Sequence, residues 1–324
     1  MPKWKLTILA LICGFAWIGG HMPDAQADLN EILPEGAAVE KVGDGFAFVE
    51  GPAWHPGTQM LYFTDIPRNR IVGYNGAEFS TVTSESRGAN GLMFDAAGGL
   101  VACEGGARQM TRVSELGKEP EILAANFDGK RLNSPNDLWL DMAGGIYFTD
   151  PRYGARDDME MTIEGVYYIS SDKKLTRLID DLVRPNGIAL SPNGDVLYVL
   201  DNGANLLVAY PIKSPGVIGE GKKLAEVPGP DGMSIDQNGR LYITASDGVR
   251  VVRPDGSLLG TIEVPEVPAN CTFGGANQEV LYITARTSLY RIVTKACGWH
   301  VHRDGQASPV PASPAATADA AEGK

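Results

Sequence analysis

Short hydrophobic runs recur along the chain at long, near-regular intervals. They begin at Leu61 (LYFT), Leu100 (LVAC), Ile146 (IYFT), Leu197 (LYVL), Leu241 (LYIT) and Leu281 (LYIT), with successive starts 39, 46, 51, 44 and 40 residues apart. A second apolar stretch precedes each run, as in Gly91-Leu92-Met93-Phe94 and Gly187-Ile188-Ala189-Leu190. Gly- or Asn-bearing segments such as Ala96-Ala97-Gly98-Gly99 and Ser191-Pro192-Asn193-Gly194 join the two. They predict hairpin turns, because Gly and Asn accept the positive φ that tight turns need. A third strand is predicted over segments such as Arg70–Tyr74 and Gly248–Val252, and fourth strands are less distinct. Multi-strand units repeating every 40 to 50 residues or so predict an all-β chain, a six-bladed β-propeller. The segment Ala38–Val49 is expected to supply the outer strand of blade six, closing the circle and removing exposed edges. The pattern stops after Val293.

A polar pattern runs in register with the apolar one. Glu50, Asn90, Asn136, Asn186, Asp231 and Asn270 each stand 10 or 11 residues ahead of a strand start. Equivalent positions in the blades of a propeller form a ring around its axis. This ring holds only carboxylates and amides, and so predicts a central metal site. Strand direction returns Asp65, Glu104, Asp150 and Asp201 to the same face, with Ala245 and Ala285 in blades five and six. The 151–165 insertion, carrying Arg152, Tyr153, Arg156 and Asp157, is the longest on that face and is a candidate lid or specificity loop.

The chemistry follows from the donors. Oxygen ligands without imidazole or thiolate select a hard divalent cation, Ca²⁺ first, with Mg²⁺, Mn²⁺ or Zn²⁺ as substitutes. Glu50 and Asp231 bring two negative charges, and Asn136 and Asn186 complete the set without adding more. Asn90, Glu104 and Asp150, with Asn136, are candidate substrate contacts. Two plainer readings compete. Four ring residues precede Gly and so suit turns, and the acids of the second ring suit strand caps or loop anchors. Ser–His–Asp hydrolysis is excluded by the distribution of four His: His21, His55 in a turn on the opposite face, and His300 and His302 beyond the last repeat. No G-x-S-x-G elbow occurs.

Composition adds limits and a location. The net charge of −12 over 324 residues argues against nucleic acid and anionic membrane surfaces. Lys3 and Lys5 precede the apolar run Leu6–Gly20, and Ala25-Gln26-Ala27 has the form of a cleavage site, which predicts a signal peptide over 1–27. The propeller is then expected over 28–300, with an Ala/Pro-rich disordered tail over 301–324. A periplasmic or secreted monomer without lasting membrane insertion is the expectation. Export permits a Cys271–Cys297 disulfide, which geometry alone can establish.

The ordered motifs Glu50-Gly-Pro-Ala-Trp, Ala89-Asn90-Gly-Leu, Asn133-Ser-Pro-Asn136-Asp, Pro185-Asn186-Gly-Ile, Pro230-Asp231-Gly-Met and Asn270-Cys-Thr-Phe-Gly-Gly resemble the gluconolactonase family. That family includes regucalcin and luciferin-regenerating enzyme. The resemblance covers about residues 40–293, with the 129–154 stretch most like the bacterial gluconolactonases. It implies a cation-dependent hydrolase of sugar lactones such as gluconolactone. It assigns Glu50, Asn186 and Asp231 to the metal, Asn136 to metal and substrate, and catalysis to Asp231 as base or nucleophile. Ser134 stands where regucalcin has a substrate-binding Arg, so the animal protein's sugar contacts do not carry over. Alternatives of other kinds are an aryl-ester or organophosphate hydrolase on the same propeller, and a non-catalytic binding propeller.

Overall fold

A computed structural model describes residues 29–300. The expected signal peptide and tail, with His21 and His302, lie outside the described residues. The remainder forms six four-stranded antiparallel blades around one axis. The second strands are Met60–Asp65, Leu100–Glu104, Ile146–Asp150, Val196–Asp201, Leu241–Ala245 and Val280–Ala285, within one residue of the starts read from the hydrophobic runs. Each pairs with an inner strand: Val49–His55, Ala89–Phe94, Leu138–Leu140, Pro185–Leu190, Met233–Ile235 and Pro268–Gly274. Every inner strand contacts the next, and Val49–His55 contacts Pro268–Gly274, so the ring is closed.

The closing strand is Glu40–Gly43. It pairs antiparallel with Ser288–Val293, Glu40 opposite Arg291, and becomes the outer strand of blade six. Blade four carries an additional short strand, Val217–Ile218, beside its third.

The hydrophobic core sits between blades. Trp54 of blade one stacks on Tyr282 of blade six at 5.8 Å, Tyr62 meets Phe94 of blade two edge-on at 5.1 Å, and Tyr242 of blade five meets Phe273 of blade six at 4.8 Å. Aromatic pairs of this geometry add to the area they bury, so adjacent blades lock together. Leu29 and Ile32 are buried among residues of blades five and six, and Ile32 O accepts the Lys295 N–H. Cys103, Cys271 and Cys297 are all free thiols. Cys271 Sγ lies 3.3 Å from Tyr242 O and Cys297 Sγ 2.8 Å from Asn277 O, so the disulfide that export would permit is not formed.

Candidate metal centre

The ring begins with backbone. Gly91 N–H donates to Asn136 O at 2.8 Å, Gly187 N–H to Asp231 O at 2.8 Å, and Gly232 N–H to Ala269 O at 2.8 Å. The residue after a ring position therefore bonds to the next blade's inner strand. A Cβ there would collide with backbone: 1.9 Å from Asn90 O at Gly51, 2.7 Å from Asn136 O at Gly91 and 2.6 Å from Asp231 O at Gly187. These glycines serve close packing inside strands, which corrects the turn-forming reading of the Asn90-Gly91 and Asn186-Gly187 pairs. The Thr of the YFT and YIT runs ties the same layer together. Thr64 Oγ1 donates to Asn90 O at 3.2 Å, and Thr244 Oγ1 to Ala269 O at 2.8 Å.

That layer brings acids and amides together. Asn186 Nδ2 donates to Asp231 Oδ1 at 2.7 Å, leaving its carbonyl oxygen uncommitted among the described residues. Glu50 is buried and accepts the Gly51 N–H at 2.9 Å. Asn136 is fixed by its backbone alone, its N–H reaching Thr149 O at 2.9 Å, and its amide is uncommitted among the described residues. Asn90 is partly exposed, and its carbonyl is the acceptor for Thr64.

The sequence reading missed one member. In blade three, Asp137 occupies the place that glycine takes after Glu50, Asn90, Asn186 and Asp231. Its buried carboxylate accepts the Leu138 N–H at 2.9 Å and, more weakly, Asn270 Nδ2 at 3.4 Å. The broken glycine pattern was the signal. Two cavities lie further down the axis, one of them lined by Asp137, Asn270, Ser234 and Trp139.

The electrostatics are those of buried acids whose desolvation outweighs the charge and hydrogen bonds that favour ionisation. Burial pushes the Asp231 carboxyl up to about 7, although the Asn186 hydrogen bond and the charge of Arg286 pull it down. Burial raises Glu50 well above the usual carboxylate range, and repulsion from Asp231 and Asp137 adds to this. Among the described residues no three His, Cys, Asp or Glu side chains converge closely enough to hold a metal by themselves. Any cation here has to draw on the Asn136 and Asn186 amide oxygens as well. The set fits a hard divalent ion, with two formal charges, oxygen donors only and carbonyl groups left uncommitted.

The second ring of acids does something else. Asp65 accepts the N–H groups of Ala47 and Phe48, Asp150 those of Asn133 and Ser134, and Asp201 those of Val183 and Arg184. In all three blades the partners lie three and two residues before the ring position, so each carboxylate anchors the loop leading into its own inner strand. Glu104, one methylene longer, binds Thr111, Gln109 and Arg87 instead. Asp150 and Glu104 thus have structural hydrogen bonds of their own, as the plainer reading of the second ring expects, and a substrate contact by either would come in addition to them.

The long insertion does reach the ring. Asn186 Nδ2 also donates to the Tyr153 hydroxyl at 2.6 Å, and the Arg184 guanidinium lies over the Tyr153 ring at 5.1 Å. Sequence length marked this loop but not the side chain that matters in it.

Residues 48–287 match the family described as SMP-30/Gluconolactonase/LRE-like region. A gluconolactonase of Zymomonas mobilis is 32% identical, over 92% of this chain and 95% of its own. A 6-deoxy-6-sulfogluconolactonase of Pseudomonas putida is 29% identical over 73% of this chain and 82% of its own. The solved gluconolactonase of Xanthomonas campestris superposes with a TM-score of 0.75 at 33% identity, covering 80% of this chain and 89% of that one.

Proposed function

Because the chain belongs to the SMP-30/gluconolactonase/LRE-like family, we propose that it hydrolyses sugar lactones with the help of one divalent cation, Ca²⁺, in the propeller ring. The observation that carries this is the pair Glu50 and Asp231, both raised by burial, Glu50 further by repulsion from Asp231, beside uncommitted amide oxygens of Asn136 and Asn186. Glu50, Asn136, Asn186 and Asp231 would hold the ion. When bound, the ion supplies Lewis acidity towards the ester carbonyl and balances negative charge developing on its oxygen.

The chain's own groups do the rest. Asn186 fixes Asp231 Oδ1, leaving Oδ2 without a partner among the described residues. In this reading Oδ2 takes the proton of the attacking water as general base. Large exposed apolar side chains such as Phe79, Ile122, Val217 and Val293 are spread over different blades. A shared apolar docking face would concentrate them, so this spread favours an enzyme over a binding propeller. The signal-like leader supports a further proposal, that the enzyme works after export.

The test is a panel of gluconolactone, other lactones, aryl esters and organophosphates, run with added Ca²⁺ and after chelation. Lactone turnover lost on chelation and restored by the ion is the expected result. A preference for aryl esters or organophosphates, or full activity without metal, would overturn it. Asp231→Asn at saturating ion should lose at least about a hundredfold in kcat, the usual scale for removing a general base. Turnover close to wild type would leave Asp231 as a ligand only.

A further inference from the structure

The Tyr153 hydroxyl is the one side-chain group outside the ring positions that hydrogen-bonds a proposed ligand among the described residues. Its oxygen accepts from Asn186 Nδ2, and Asn186 donates in turn to Asp231, so the phenol stands two hydrogen bonds from the proposed base. One lone pair is thereby used. The phenolic proton has no acceptor among the described residues, while Tyr153 as a whole residue remains 47% exposed. Such a hydroxyl is a donor turned towards whatever occupies the mouth of the site.

The loop that carries it is pinned. Arg152 donates to Asn133 O at 3.0 Å and to Asp158 at 2.5 Å, and the Arg152 N–H reaches Glu164 at 2.8 Å. Buried Arg108 also bonds Asp158, at 3.1 Å, and Arg156 pairs with Glu164. With Arg184 over the ring, the tyrosine is placed before substrate arrives, as a specificity element needs to be. A swinging lid would leave these pairs unmade.

We propose that Tyr153 is a substrate-binding residue, its hydroxyl donating to the substrate hydroxyl next to the lactone carbonyl. The proposal rests on the lactonase reading above. It also gives the chain a polar contact that its Ser134, unable to act as an arginine, does not supply.

The experiment compares wild type with Tyr153→Phe at saturating Ca²⁺, on gluconolactone and on the analogue lacking the hydroxyl next to the carbonyl. Phe keeps the ring and its stacking on Arg184, so the fold and loop should persist. The expected result is a fall in kcat/KM for gluconolactone roughly tenfold larger than the fall for the analogue, the scale of one hydrogen bond, with any loss shared by both reporting the lost Asn186 bond. Equal losses on both substrates would overturn the contact and reduce Tyr153 to a support for Asn186. No loss on either would overturn it altogether. If wild type hydrolyses neither lactone, the lactonase reading falls first and this proposal with it.

Discussion

Gly187 sets the proposed metal site without touching the metal. A Cβ at this position would lie 2.6 Å from Asp231 O, a backbone atom with no rotamer into which to retreat. Any side chain there has to push the blade-five strand outward and carry Asp231 with it. Gly187→Ala is therefore expected to weaken Ca²⁺ binding by at least about tenfold and to cost about 1–3 kcal/mol in stability, as overpacking does. Calorimetric titration and urea unfolding check the two effects separately, and unchanged affinity would break the link between packing and site. Glu50, Asn186 and Asp231 were legible in the sequence because register alone places them. Asp137 was harder, because it sits one residue off that register and shows only as a missing glycine. Tyr153 lay in an insertion with no repeat to align it, so nothing in the sequence could single out its side chain.

At the scale of the element, each blade has to hold the loop that feeds its inner strand. Blades one, three and four do so with an Asp at the end of the second strand. Blade six has Ala285 there and reverses the arrangement. Glu266, on the incoming loop, binds the Thr287 N–H and hydroxyl, Ser288 and Tyr290. Burial would raise its pKa, but these donors win and hold it at about 2. A depressed carboxylate stabilises the fold above its unfolded pKa near 4.5 and loses that contribution as pH falls towards 2. Glu266→Gln should therefore cost about 1 kcal/mol at pH 7, allowing for solvent screening. The gap between mutant and wild type should close as acid titrates the group. Urea unfolding at several pH values checks this, and a gap constant with pH would assign the effect to packing. Strand positions were legible here from alternating apolar runs and turn glycines. The anchors were legible only as one of two readings of the second-ring acids, because their partners are backbone N–H groups, which every sequence possesses.

For the whole molecule, the first described residues bear on processing. Leu29 and Ile32 are buried against blades five and six, and Lys295 Nζ reaches Asn30 O at 2.8 Å. Cleavage after Ala27 would leave all of these contacts in place, with Asp28 as the new terminus. Mass spectrometry of the exported protein should find that terminus, and a soluble cytosolic form retaining Met1 would sink the export proposal. Closure was legible because a propeller period that ends at Val293 lacks one outer strand, and Ala38–Val49 has the composition to supply it.

The pairing of Glu40 with Arg291 spans 251 residues of chain. Translation delivers the earlier partner long before the later one, so the outer strand Glu40–Gly43 has no sixth blade to join until nearly all of the sequence exists. Contacts of such separation form late in folding, after the entropy of a large loop has been overcome. A nascent chain therefore stays an unclosed ring while it grows, whichever blades it has already formed. The strand that seals the circle is also a timer: if the chain is exported, as proposed, the ring would close only on arrival.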